Sequence, residues 1–300
     1  MKGDFSSWCR RGALTLLGML CGLRCGVGAP RLQNLLLASL LAAAAPAAEI
    51  RVVGSDLLGE GFARAVAEFA REDGTAVQLD LRGTRPGADA LETGRADVGI
   101  FLLPAAERAP SGAMVSRTMG YQVAAVVVAP ASPLTQVTVA QLRGIFGEAG
   151  PKDRTPLAVS PRAGLAWPLF RRVILQEAAP KAAVEFSPSG AALAQRLREA
   201  ENSIGVAGLA AAGAGLRALA VAAGPTDPAC LPTPENVHAG AYPLRMVLHV
   251  SFPRAQAPEL QRFLKFLLSD ETAAALASAD FVPLPAGVRN QLVFELEEMR

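Results

Sequence analysis

The sequence predicts an α/β protein of two lobes, each a mixed, mostly parallel sheet flanked by helices, with a cleft between them. Three observations lead there. Residues 50–103 alternate short β-branched runs with amphipathic stretches in the order strand, helix, strand, helix, strand. Residues 121–221 carry a second such alternation. Between it and a final strand lies Gly224–Gly240, whose Pro225, Pro228, Pro232 and Pro234 suit neither a helix nor a central strand and read as a loop.

The elements follow in order. Ile50–Val53 is a β-branched strand, and Gly54-Ser55-Asp56 breaks it. Leu57–Arg71 places Leu58, Phe62, Val66 and Phe69 on one helical face, and Gly74 ends it as a C-cap glycine does. Val77–Leu81 alternates as a strand, and Gly83-Thr84-Arg85-Pro86-Gly87 is a loop opening a helix over Ala88–Gly94. Ala96–Leu103 is a buried strand. In the second unit the strands are Tyr121–Val128, Pro156–Ser160, Val184–Phe186, Ile204–Leu209 and Leu216–Val221. Its helices are Thr138–Phe146, Trp167–Leu175 and Ala191–Glu201. The chain closes with a strand over Tyr242–Val250, helices over Pro258–Leu268 and Thr272–Ser278, an apolar stretch to Leu284, and an acidic helix over Gln291–Met299.

Composition narrows the function. At 51 % hydrophobic and 19 % charged residues, the chain can bury a full core. The formal charge of +2 is uneven: residues 1–48 hold five of the 29 bases and one of the 27 acids, so the remainder carries 24 against 26. A near-neutral body lacks the basic face a nucleic-acid partner needs. The basic residues Arg10 and Arg11 precede an apolar run, Ala13–Leu23, and Arg31 precedes a second, Leu35–Ala45, which ends in Ala45-Pro46-Ala47-Ala48-Glu49. A basic start, short apolar stretches and small residues at the end mark residues 1–48 as a signal peptide and the protein as periplasmic. Of Cys9, Cys21, Cys25 and Cys230, only Cys230 survives cleavage, so no internal disulfide is expected.

No nucleophile elbow, phosphate-binding loop, dinucleotide fingerprint or metal-ligand pair is present, so no catalytic residue, metal or cofactor is assigned. His249 in an apolar strand reads as a packed histidine. Recognition remains. Three strand-to-helix turns carry glycine or small hydroxyls, at Gly54-Ser55, Gly83-Thr84 and Ser187-Pro188-Ser189-Gly190, with Pro161-Arg162-Ala163-Gly164 as a fourth. Helix N-termini converging on one cleft bind an anion through free N–H groups and partial positive charge. Taken singly, each turn is equally an ordinary N-cap.

The order of segments resembles the periplasmic phosphate-binding proteins of ABC transporters, in the type II periplasmic binding protein superfamily. The resemblance rests on Ile50–Ser55, on Leu91-Glu92-Thr93-Gly94-Arg95-Ala96-Asp97-Val98-Gly99, on the run Tyr121–Val128 followed by Pro130, and on Leu142-Arg143-Gly144-Ile145-Phe146. Ser203-Ile204-Gly205-Val206, Tyr242-Pro243-Leu244, Phe263–Ser269 and Phe281-Val282-Pro283-Leu284 continue it. It implies a chain that crosses twice between lobes: 49–125 with 241–300 forming lobe 1, and 126–240 forming lobe 2.

The resemblance also implies a monomer that binds a phosphate-like or other small anion and delivers it to an ABC permease in the inner membrane. Ser55, Asp56, Thr84, Arg85, Arg162 and Ser189 are the implied ligand-binding residues. Two departures fall in this site. Phe101-Leu102 stands where the family has Ser-Asp or Ser-Arg, which removes the carboxylate that accepts the proton of monohydrogen phosphate. Ala163-Gly164-Leu165-Ala166 replaces a Gly-Ser-Gly-Thr turn. Selectivity for the monoprotonated anion is therefore expected to be weak or absent. The alternative is a non-transport relative that has lost phosphate binding and acts as an interaction or sensory module.

Overall fold

The structure, a computed structural model, describes residues 49–105, 107, 109–110, 112–147, 154–180, 182–200, 202–212 and 215–299. The expected signal peptide, residues 1–48, lies outside the described residues. The elements run β1 (Glu49–Gly54), α1 (Gly59–Asp73), β2 (Ala76–Asp80), α2 (Thr84–Glu92), β3 (Val98–Pro104), β4 (Met114–Val123), β5 (Ala125–Val128), β6 (Gln136–Thr138) and α3 (Val139–Gly147). They continue with β7 (Thr155–Val159), α4 (Ala166–Val173), β8 (Glu185–Ser187), α5 (Gly190–Glu199), β9 (Ser203–Ala207), α6 (Leu209–Ala212), β10 (Arg217–Ala218), β11 (Ala220–Ala222) and α7 (Pro234–His238). The chain ends with β12 (Arg245–Pro253), α8 (Ala257–Leu267), α9 (Asp270–Ser278), β13 (Phe281–Pro283) and α10 (Ala286–Glu298).

Two sheets organise these elements. The first has the order β13-β4-β12-β3-β1-β2 and the second β10-β5-β9-β7-β8, with β11 and β6 forming a small pair. In the first, β2, β1 and β3 are parallel, and β12, β4 and β13 add antiparallel pairs. In the second, β8, β7 and β9 are parallel, while β5 and β10 run antiparallel. The α/β fold with two mixed sheets is the one expected. β3 reads Val-Gly-Ile-Phe-Leu-Leu-Pro and is buried over its first six residues, as a strand covered on both faces must be. On α1 the apolar face buries Phe62, Ala65 and Val66, and Phe69 stacks on Phe266 of α8 with centroids 4.5 Å apart. Gly74 takes φ 72°, and its N–H donates to Ala70 O, closing α1.

Four local expectations are corrected. The run Tyr121–Val128 is not one strand: Tyr121–Val123 ends β4 in the first sheet, and Ala125–Val128 is β5 in the second. The division falls at Ala124, whose N–H donates to Leu244 O at 3.1 Å and whose carbonyl accepts from the Tyr242 hydroxyl at 2.8 Å. Tyr242 is fully buried, and burial raises its phenol pKa. Helix α2 starts at Thr84 rather than Ala88, because Pro86 lies in its first turn, where a missing N–H costs nothing. The proline-rich stretch contains α7: Thr233 caps it by accepting from Asn236 N, and Pro234 takes the first position. Leu216–Val221 divides into β10 and β11, which belong to different sheets.

His249 lies in β12, where burial holds its imidazole below the usual range. Among the described residues no helix is long and apolar enough to cross a membrane.

Candidate functional site

The site begins where β1 ends. A Cβ on Gly54 would stand 2.2 Å from Ile100 O, so only glycine lets β1 approach β3 this closely. Ser55 follows, its N–H donating to Ile100 O at 2.9 Å and its Oγ accepting from Leu57 N at 3.3 Å. Ser55 is 2 % exposed, and its hydroxyl proton remains for another acceptor.

Helix α2 is delivered to the same place. Gly83, at φ 120°, donates its N–H to Gly54 O at 2.8 Å, and Gly87 packs so tightly that a Cβ there would meet Gly54 N at 3.2 Å. The Thr84 hydroxyl accepts from Leu102 N at 3.3 Å and donates to Leu102 O at 3.4 Å, so its hydrogen-bonding capacity goes into fixing α2 on β3. The exposed Arg85 has no hydrogen-bond or ion-pair partner among the described residues.

These residues line one side of a cavity of about 510 Å³ between the first sheet and helix α4. Asp56 and Leu57 continue that wall, with Leu102 and Leu103 of β3, Gln122 of β4 and Met246 of β12. Pro168, Leu169 and Arg172 of α4, with Glu177 beyond it, form the facing wall. Gln122 is 1 % exposed, and its buried Nε2 has no hydrogen-bond partner among the described residues. Arg172 bridges the gap: its Nη2 donates to Glu107 Oε1 at 2.9 Å, and its Nη1 lies 3.5 Å from Glu177 Oε1. A second cavity shares Arg85, Glu107, Arg172 and Glu177 and extends past Arg245, whose guanidinium lies 5.0 Å from the centroid of the Tyr121 ring.

Of the residues proposed from sequence, Ser55, Asp56, Thr84 and Arg85 line this cavity together. Arg162 and Ser189 are not among its lining residues. Arg162 lies in an exposed turn after β7, its N–H donating to Ser160 Oγ at 3.3 Å. Ser189 caps α5, its exposed side chain accepting from Ala192 N at 3.2 Å. Gln122, Glu107 and Arg172 were not singled out in the sequence. Gln122 is the one polar side chain within an apolar run and was open to notice; nothing local distinguishes Arg172 from Arg171.

Asp97 of the Leu91–Gly99 motif stands behind the site. Its carboxylate accepts from Arg51 N at 2.9 Å, Nε at 3.0 Å and Nη2 at 2.7 Å, joining the approach to β3 to β1. The Arg51 guanidinium holds the Asp97 carboxyl below its usual range. Among the described residues no three His, Cys, Asp or Glu side chains come together to hold a metal ion.

The fold has counterparts among solved structures. A possible phosphate binding protein from Planctomyces limnophilus superposes with a TM-score of 0.69 at 20 % identity, covering 84 % of this chain and 99 % of its own. PstS from Borrelia burgdorferi gives a TM-score of 0.65 at 14 % identity, over 79 % of this chain and 99 % of that one. An ABC-type phosphate transport receptor from Vibrio cholerae gives 0.59 at 16 % identity, over 79 % and 100 %. At these identities the likeness establishes the fold. No curated protein sequence matches the chain. The family model for the PBP superfamily domain matches residues 41–271. With that match over most of its length, and with the two-sheet fold of phosphate-binding proteins, the chain belongs to the PBP superfamily, a superfamily of binding proteins.

Proposed function

We propose that this protein captures a small anion in the cavity between its first sheet and helix α4 and delivers it to an ABC permease in the inner membrane. The observation that carries the reading is the convergence on one cavity of the Ser55 hydroxyl, the N-terminus of α2 with Arg85, which has no partner among the described residues, and Arg172 from the opposite wall. A helix N-terminus beside a free guanidinium attracts negative charge. The two sheets serve as the cores of two lobes, 49–125 with 241–300 and 126–240, joined where Ala124 meets Tyr242 and Leu244. The protein works as a monomer in the periplasm after loss of residues 1–48.

A thermal-shift screen of the secreted protein against phosphate, sulfate, molybdate, phosphonates and small carboxylates tests this. A ligand at a hundred times its dissociation constant adds about 2.7 kcal/mol of stability. At least one anion is expected to raise the melting temperature and to lose that effect in Arg85→Gln. A screen in which none does so leaves the second reading, an interaction or sensory module. That reading is favoured by the Glu107 and Glu177 carboxylates already set against Arg172.

A further inference from the structure

We infer that Asp280 is a brace across the hinge: its carboxylate ties the turn before β13, in the first sheet, to the start of α6, which follows β9 of the second, and so limits how far the sheets rotate about Ala124. The inference rests on the two-lobe division proposed above and on no ligand.

Strand pairing sets the place. The chain leaves the first sheet at Val123 and enters the second at Ala125. Gln122, just before that crossing, pairs with Phe281 of β13, and Ala125, just after it, pairs with Ala207 of β9. Asp280 and Gly208 are the chain neighbours of those two partners, and they meet. Ala210 N donates to Asp280 Oδ1 at 3.5 Å, and the Leu209 N–H donates to the same carboxylate. The packing is close: a Cβ on Gly208 would stand 1.7 Å from Asp280 Oδ2.

The contact is held against two opposing effects. Asp280 has φ 63°, in the left-handed region where a glycine would sit without strain. Its N–H donates to Ala277 O at 3.1 Å, which fixes that turn. The carboxyl is also drawn out of water with no cation paired to it among the described residues, and burial pushes its pKa above the usual range. Strain of this kind persists where the surrounding structure over-determines it. Here the determining partners are Gly208 and the two N–H groups that open α6. The covalent crossings at Ala124 and Tyr242–Leu244 make a hinge a few residues wide, and such a hinge by itself leaves its two sides free to turn. A side-chain tie beside it, running from one sheet to the other, opposes that turn.

The test is pulsed electron resonance between spin labels at Arg64→Cys of α1 and Arg198→Cys of α5, both exposed positions, in secreted protein that also carries Cys230→Ser, with no anion added. The labels report the distance between helices that flank the two sheets. Asp280→Gly suits φ 63° and removes only the carboxylate, so it should fold, and it is expected to broaden the distance distribution roughly twofold. Gly208→Ala, which drives the carboxylate away, is expected to broaden it as much, and the two substitutions together no further. An unchanged width in Asp280→Gly, or additive broadening in the pair, would overturn the brace while leaving anion capture untouched. Because no anion is present, a silent anion screen would end the capture reading and leave a broadened distribution, and with it the brace, standing.

Discussion

The Asp97 carboxylate accepts three hydrogen bonds, all of them from Arg51. Its side chain is largely covered while Arg51 is 39 % exposed, so the pair is stronger than a surface ion pair and weaker than a buried one. Asp97→Asn is expected to lower stability by about 1–2 kcal/mol at neutral pH. The sign of the pH dependence follows from the lowered carboxyl pKa. The stabilisation is fully present above the unfolded value of 3.8 and fades as pH falls through the lower folded value. Urea unfolding at pH 7 and again below pH 3.8 checks this: the gap between wild type and variant should narrow in acid, and a constant gap would contradict the charge-based account. Asp97 was legible in the sequence because it belongs to a spaced motif. Gln122 was legible only as an oddity in an apolar run. Arg172 was not legible at all, since its role depends on which face of α4 turns toward the other sheet and on Glu107, distant in sequence.

At the scale of elements, the junction at Ala124 holds the two sheets' connections together. The chain passes from β4 to β5 there, and the return segment Tyr242–Leu244 grips the same residue with two hydrogen bonds. Tyr242→Phe removes one bond and leaves the ring packed, so a loss of about 1 kcal/mol is expected, read as a lower urea midpoint with an unchanged slope. A variant as stable as the wild type would show that the hydroxyl contributes nothing to the junction. The break itself could not be read from hydropathy. Gln122 through Val128 is buried without interruption, so no periodicity changes at Ala124. What changes is the partner: Gln122 pairs with Met246 and Phe281, Ala125 with Ala207. Helix α7 was readable in principle, because a threonine followed by proline is a helix start, but the density of prolines around it outweighed that signal.

For the whole molecule, the alternation of strands and helices in two stretches gave the α/β class, and the ordered segments gave the family before any coordinates. The candidate site was only half legible: the first wall is built from contiguous turns, the second from side chains that folding brings across. The proposed signal peptide makes its own prediction. Mass spectrometry of the secreted protein should find an N-terminus near Ala48 or Glu49, and an intact Met1 in a soluble periplasmic fraction would refute cleavage. The Glu107–Arg172 bridge has a further consequence. It joins Glu107, in the loop after β3, to α4 through side chains 47 % and 31 % exposed. A pair so open to water contributes at most about 1 kcal/mol, a factor of about five in favour of walls held together. The bridge therefore favours contact between the walls without locking them. Because that bias is electrostatic, it fades with ionic strength: at about 1 M salt the screening length falls to roughly 3 Å and the two walls lose their tie.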